Sequence, residues 1–305
     1  MTRFFAHVRT YIRYYILLFL IVLSCVVWFV TLRAGRRELT FAMLNIGQGD
    51  ALYIESPTGT HVLVDGGPDK ALMSALPHVL PWYDRHIDMV VVDNPDQDHF
   101  SGFIPLLQQY SVDVVLEPGV KGSSPSYGVL EHEIADRKIP EMIAERGQVI
   151  DLGGGAYLQI LFPDRDVSGL STNDGSIFMR LVYGNTSVIM GGDSPSQIED
   201  YLVARDAAAG GGTLRSTILK AGHHGSKTSS SPDFVSAVDP QWAVISSGAD
   251  NTYGHPNQET LDTFSAQHIP VLDTCVMGDI IFHSDGQIFT LQNKKILPVT
   301  AGCKR

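Results

Sequence analysis

Basic side chains are scarce in this sequence. Lysine and arginine number 22 against 33 aspartate and glutamate, a formal net charge of −11. Non-specific nucleic-acid affinity comes mainly from cations placed at phosphates, so the acidic balance argues against a broad nucleic-acid-binding surface. Cysteine is scarcer still: three residues, Cys25, Cys275 and Cys303, none at metal-type spacing. Cys25 sits in an apolar run, while Cys275 and Cys303 either pair in an oxidising compartment or stay as thiols. The chain also lacks a zinc ribbon, a phosphate-binding glycine loop, a nucleophile elbow and an internal repeat.

Charge is absent altogether from residues 14–32. As a helix this run spans about 28 Å, close to the ~30 Å of a bilayer core. Tyr14 and Tyr15 at one end and Trp28 near the other suit the two interfaces. The run exceeds the ~7–15-residue core of a signal peptide, and no small-x-small site precedes Arg33. An uncleaved single-pass anchor is therefore expected over about 14–32, within a segment 1–38 that also holds a basic start and a short linker. Arg3, Arg9 and Arg13 before the run balance Arg33, Arg36 and Arg37 after it, so the positive-inside rule names no side. A very short leading segment more often stays inside, which puts the bulk of the chain on the extracytoplasmic face of a cell membrane.

Residues 39–291 alternate strand-like and helix-like stretches. Strands are expected over 39–46, 51–55, 61–64, 87–92 and 112–116, with helices over 71–80, 103–110 and 127–138. Further strands follow near 148–150 and 157–162, and a hairpin over 177–190 turns at Gly184-Asn185. Helices over 196–208, 232–238 and 257–267 alternate with strands over 216–219, 242–246, 269–272, 279–283 and 287–291. Runs of strands interrupted by helices, twice over, predict an α/β fold of two packed sheets with helices outside, an αββα sandwich. No linker divides 39–291, and the basic tail 292–305 is expected to be loose.

Chemistry concentrates at three strand ends. The run 87–92 stops abruptly at Asp93, Asn94, Asp96, Asp98 and His99. The run 217–219 leads into KAGHHGSKT, residues 220–228, and 188–190 leads into Gly191-Gly192-Asp193. Carboxylates this close repel one another unless a cation sits among them. Three such ends along one sheet edge are the pattern of a metal site.

Six segments then occur in order: 44–50 (LNIGQGD), 62–67 (VLVDGG), 93–102, 191–193 (GGD), 219–229 (LKAGHHGSKTS) and 253–256 (YGHP). Together they resemble the metallo-β-lactamase superfamily, and most closely the hydrolase domain of ComEC-type competence (DNA-uptake) proteins. The resemblance covers roughly 39–291 and implies the same αββα sandwich. It implies metal ligands at Asn94, Asp96, Asp98, His99, Asp193 and His223. Asp193 matches the carboxylate that bridges two ions in the family. His223, nearer the strand end, is favoured over His224 as ligand, and His224 is assigned a catalytic role beside Asp98 and Asp193. The chain departs at Asn94, where the family has histidine; an amide oxygen is a weaker ligand suited to hard ions. His255, Lys227 and Ser226 are expected to face the substrate. Asn173, Asp174 and Ser176 form either a further site element or a turn. Gln48, Asp50 and Asp65 read as loop-forming residues.

The implied activity is a membrane-anchored hydrolase with one or two divalent ions, zinc or manganese, that activate water for attack on a phosphodiester. The implied substrate is single-stranded DNA, met by a local patch near Lys220 and Lys227, with a separate channel component as partner. Two rivals remain. Asn94 motivates an inactive binding module on the same fold, and a β-lactam or thioester hydrolase would use the same chemistry on a carbonyl.

Overall fold

Side chains alternate along a β-strand and so sort onto opposite faces of the sheet. In the computed structural model, which describes residues 2–34, 38–249, 251–293 and 295–304, those faces build three apolar layers. The chain divides into two units, Met1–Arg37 and Glu38–Arg305.

The first unit is the helix Thr2–Ala34. Its stretch Tyr11–Phe29 has a mean hydropathy of 2.3 and is long and apolar enough to cross a bilayer. The stretch begins three residues before the expected anchor and is exposed along its length. Arg36 and Arg37 lie outside the described residues.

The second unit holds two sheets. Strands β1 (Leu39–Met43), β2 (Leu52–Glu55), β3 (His61–Val64), β4 (His86–Val91), β5 (Ser111–Glu117) and β6 (Glu141–Ile143) come first. Next are β7 (Val149–Gly153), β8 (Ala156–Phe162), β9 (Phe178–Tyr183), β10 (Thr186–Met190) and β11 (Ile218–Lys220). The last are β12 (Trp242–Ile245), β13 (Val271–Asp273), β14 (Ile280–Ser284) and β15 (Phe289–Leu291). One sheet runs β15-β14-β1-β2-β3-β4-β5-β6 and the other β13-β12-β11-β10-β9-β8-β7. Phe41, Met43, Met89 and Val91 of the first sheet share the central layer with Val188, Met190, Ile218 and Val244 of the second. The alternate residues Ala42, Val90 and Val92 face outward onto helices around Phe103 and Leu130. Ile189, Leu219 and Ile245 do the same on the other side, against Leu202, Phe234 and Phe264. The order of layers is helix, sheet, sheet, helix.

Parallel pairing sets the site. β3, β4 and β5 run parallel, as do β10, β11 and β12. Their C-terminal ends therefore deliver the loops after Val64, Val91, Met190, Lys220 and Ile245 to a common rim, where ligand sites of such sheets form.

Four expectations need correction. The helix expected over 71–80 is a short α-segment, Ala71–Ala75, followed by a 3-10 turn, Leu76–His78. Pro77 lacks the N–H that a continuing helix needs. The helix expected over 103–110 ends at Leu107. The strand β6 was not anticipated: it is three exposed edge residues with no burial pattern to reveal it. The end of the tail is not loose. Cys303 is fully buried and disulfide-bonded to Cys275, and the Gly302 N–H donates to the Pro256 carbonyl at 2.9 Å.

Candidate metal centre

The loop after β4 folds at once into the turn Gln97–Phe100, which buries His99. Gly49 lets a neighbouring loop approach: a Cβ there, at φ +118°, would lie 2.2 Å from the Asp98 carbonyl oxygen. After β11, His223 and His224 both adopt left-handed backbone, with φ of 49° and 55°. Such conformations cost about 1–3 kcal/mol each and persist where surrounding contacts enforce them. Here the His223 N–H donates to the Gly192 carbonyl at 3.1 Å, and the Ser226 N–H donates back to the His223 carbonyl at 2.8 Å. The turn aims both imidazoles at Asp193.

The distances around Asp193 are short and mutually consistent. His99 Nε2 stands 3.3 Å and His223 Nε2 3.4 Å from Asp193 Oδ2. His224 Nε2 stands 3.7 Å from Asp193 Oδ1 and 3.4 Å from Asp98 Oδ2. His99 Nε2, Asp193 Oδ1 and His224 Nε2 are buried without any hydrogen-bond partner. Ligands about 2.0–2.2 Å from a shared tetrahedral ion lie about 3.3–3.6 Å apart. The orphaned donors therefore fit a divalent cation, and Asp98, His99 and His224 form one ligand-competent group.

Behind these atoms lies a buried second layer. His99 Nδ1 is 2.6 Å from Asp65 Oδ2, and the other Asp65 oxygen accepts the Asp93 N–H at 2.9 Å. His224 Nδ1 is 3.4 Å from Asp50 Oδ1. Lys220, 1% exposed, is ion-paired with Asp50 and donates to the Gly192 carbonyl at 3.0 Å. Asp50 and Asp65 thus hold the far side of the two imidazoles, as carboxylates behind metal-ligating histidines do. Sequence reasoning treated both as loop-forming residues. Their signal was present, since each follows a strand within a glycine turn.

The charges are interdependent. Burial alone would raise the Asp193 carboxyl, but the His99 and His224 imidazoles overcome it and hold the group well below the carboxylate range. Burial opposes charging of His224, yet Asp193 and Asp50 push it up to about 10. His99 is raised for the same reason by Asp193 and Asp65. His255 moves the other way, to about 4, through burial and the neighbouring His224 and His223. It is neutral at pH 7.

The expected residues divide into three sets. Asp96, Asp98, Asp193, His223, His224 and His255 line one pocket of about 170 Å³. Of the two adjacent histidines, His224 is the one that joins Asp98 and His99; His223 approaches Asp193 from the more exposed side. Asn94 is engaged otherwise, and Asp96, although it lines the pocket, has one carboxylate oxygen bonded within the loop. The Asn94 amide donates to Asn173 Oδ1 at 2.8 Å and its oxygen accepts the Asp96 N–H at 3.0 Å. Thr172 donates to Asp96 Oδ2 at 3.0 Å. Asn173 reaches the pocket, whereas Asp174 and Ser176 bond within their own turn.

Ser226 and Lys227, expected to face the substrate, do not line this pocket. The Ser226 hydroxyl is engaged with Thr228, and Lys227 lines a separate cavity of about 320 Å³. The expected patch of Lys220 with Lys227 fails too, because Lys220 is buried on Asp50.

No family model matches the chain. Competence protein ComA of Neisseria gonorrhoeae is 28% identical over 266 residues, covering 84% of this chain and 35% of that protein. ComE operon protein 3 of Bacillus subtilis is 26% identical over 278 residues, covering 81% of this chain and 33% of that protein. The chain spans about a third of the length of these curated relatives. Among solved structures, the metallo-beta-lactamase fold protein YhfI from Bacillus subtilis matches with a TM-score of 0.53 at 13% identity, over 81% of this chain and 100% of that one. The helix–sheet–sheet–helix layers and the loaded rim of strand ends agree with that likeness: the chain has the metallo-β-lactamase fold and is similar in sequence to the ComEC-type competence proteins.

Proposed function

We propose that the chain is a membrane-anchored, metal-dependent phosphodiesterase that acts on single-stranded DNA. One observation carries the metal part: orphaned, buried donors of Asp193, His99 and His224 converge at ligand-to-ligand spacing. Asp98, His99, Asp193 and His224 would hold one divalent ion, and two imidazoles with two carboxylates suit zinc or manganese. A divalent ion supplies water activation near neutral pH and charge neutralisation at a phosphate oxygen. The chain's own residues do the rest. Asp65 fixes the His99 ring, Asp50 and Lys220 fix His224, and neutral His255 faces the pocket, ready to hydrogen-bond a substrate oxygen.

A single ion is favoured over two. The Asn94 amide and one Asp96 carboxylate oxygen are tied into loop hydrogen bonds, and among the described residues Asp96 joins no group of three acidic, imidazole or thiol ligands. Two features support the location. The helix containing Tyr11–Phe29 serves as a single-pass anchor, and the Cys275–Cys303 disulfide suits an oxidising, extracytoplasmic compartment. A separate channel component would then carry the DNA strand across.

The full chain, purified in detergent and loaded with Zn²⁺ or Mn²⁺, is expected to hydrolyse a phosphodiester reporter. Undiminished activity in the double variant Asp98→Ala, His99→Ala overturns the metal mechanism. A metal-loaded chain that cleaves no phosphodiester, thioester or β-lactam is instead the binding module.

A further inference from the structure

Large aromatic side chains of the second unit are mostly buried, with Tyr53, Tyr127, Phe41 and Phe100 all below 2% exposure. Trp82, Tyr83 and Tyr253 depart from this at 77%, 71% and 68% exposure, and of these three Tyr253 lines the same pocket as Asp98 and His255. Its ring is stacked on the His255 imidazole, with centroids 5.8 Å apart and planes 23° from parallel. The loop beneath it is pinned. Asn251 accepts the His255 N–H at 2.9 Å and donates to the Gly248 and His255 carbonyls at 2.8 and 2.6 Å. Asn257 donates to the Gly254 carbonyl at 3.0 Å, and the buried tail bonds Pro256 from behind. These bonds order the loop backbone on either side of the ring, so binding has less loop freedom left to remove.

What such a ring would meet follows from the pocket. Its volume of about 170 Å³ is well below the roughly 300–1,000 Å³ of a site that engulfs a drug-sized ligand. It has room for a reacting ester group and leaves the flanking parts of the substrate on the rim. Among the described residues no lysine or arginine lines it, and the chain carries a net charge of −11. Phosphate contacts to basic side chains therefore do not supply substrate affinity there. Stacking does not depend on charge and contributes about 1–3 kcal/mol per base.

We infer that Tyr253 is a nucleobase platform, so that the site takes phosphodiesters bearing a base next to the scissile group rather than base-free ones. The inference rests on the phosphodiesterase reading for its substrate class, but equilibrium binding tests it without turnover. The probe is the full chain kept metal-free in chelator, so that neither strand is cleaved, with fluorescent oligothymidylate and an abasic oligomer of equal length, read by anisotropy at fixed salt. The wild type and Tyr253→Phe are expected to prefer the base-bearing strand by about 10-fold or more. Tyr253→Ala and Tyr253→Leu are expected to bring that ratio close to one. An equal affinity of the wild type for both strands, or a preference kept by Tyr253→Leu, overturns the platform. If the preference depends on Tyr253 while no phosphodiester is cleaved, the platform stands and the hydrolase reading falls.

Discussion

The His99 ring is held between two carboxylates: Nδ1 lies 2.6 Å from Asp65 Oδ2, leaving Nε2 to face Asp193. Asp65 reaches this position because β3 and β4 pair in parallel, with the Asp65 N–H donating to the Val91 carbonyl at 2.9 Å. A carboxylate there fixes the tautomer and raises the basicity of the ligating nitrogen. Asp65→Asn keeps the shape and tolerates the left-handed φ of 59°. It is expected to weaken Zn²⁺ or Mn²⁺ binding by about 10–100-fold, measured by chelator competition, with the circular dichroism spectrum unchanged.

Gly49 makes a second, purely steric prediction. An alanine at φ +118° would press its methyl group onto the Asp98 carbonyl. Gly49→Ala is expected to cost about 1–3 kcal/mol in stability and to displace Asp98, so both Tm and metal affinity fall. A stable variant with wild-type metal affinity would show that the loops are not in this contact.

Part of this candidate centre is legible in the sequence. Asp98, His99 and Asp193 stand out because they lie in polar loops that follow the apolar strands ending at Val91 and Met190, and strand ends deliver such loops to one rim. What was not legible depends on backbone conformation or distant partners. That His224, and not His223, sits beside Asp98 and His99 depends on two consecutive left-handed residues, which no spacing rule announces. Asp65 gains its meaning from His99, 34 residues away in sequence. Lys220 reads as a surface cation until its burial against Asp50 is seen. The packed tail depends on one pairing of two cysteines that composition left open.

That pairing gives a third prediction. The Cys275–Cys303 bond closes a loop with a sequence separation of 28 and holds residues behind the Pro256 loop. A disulfide of this span contributes about 2–4 kcal/mol. Reduction, or Cys303→Ser, is expected to lower the unfolding free energy by that amount. Faster amide exchange at Gly302 and around the Pro256 loop is expected with it. Unchanged exchange at both places would show that the tail is held by other contacts.

Glu199 links stability to pH. Burial raises its carboxyl from 4.5 to about 7, against the Ser230 and Ser231 N–H groups, which favour the anion. The folded chain therefore keeps this proton up to about pH 7, while the unfolded chain releases it near 4.5. The stability it contributes is full below about pH 4.5 and is lost as pH rises toward 7. The loss is at most about 3 kcal/mol. Urea midpoints measured across that window should fall more steeply in the wild type than in Glu199→Gln. Parallel slopes would mean that Glu199 is ionised throughout.

The centre itself is tested most directly by counting and locating metal. Zn²⁺- or Mn²⁺-loaded chain, freed of excess ion, should contain one ion per chain by elemental analysis. An anomalous peak should lie among Asp98, His99, Asp193 and His224, and His99→Ala should abolish it. Asn94→His should raise the count toward two. No ion at these four residues, or two ions in the wild type, would contradict the account.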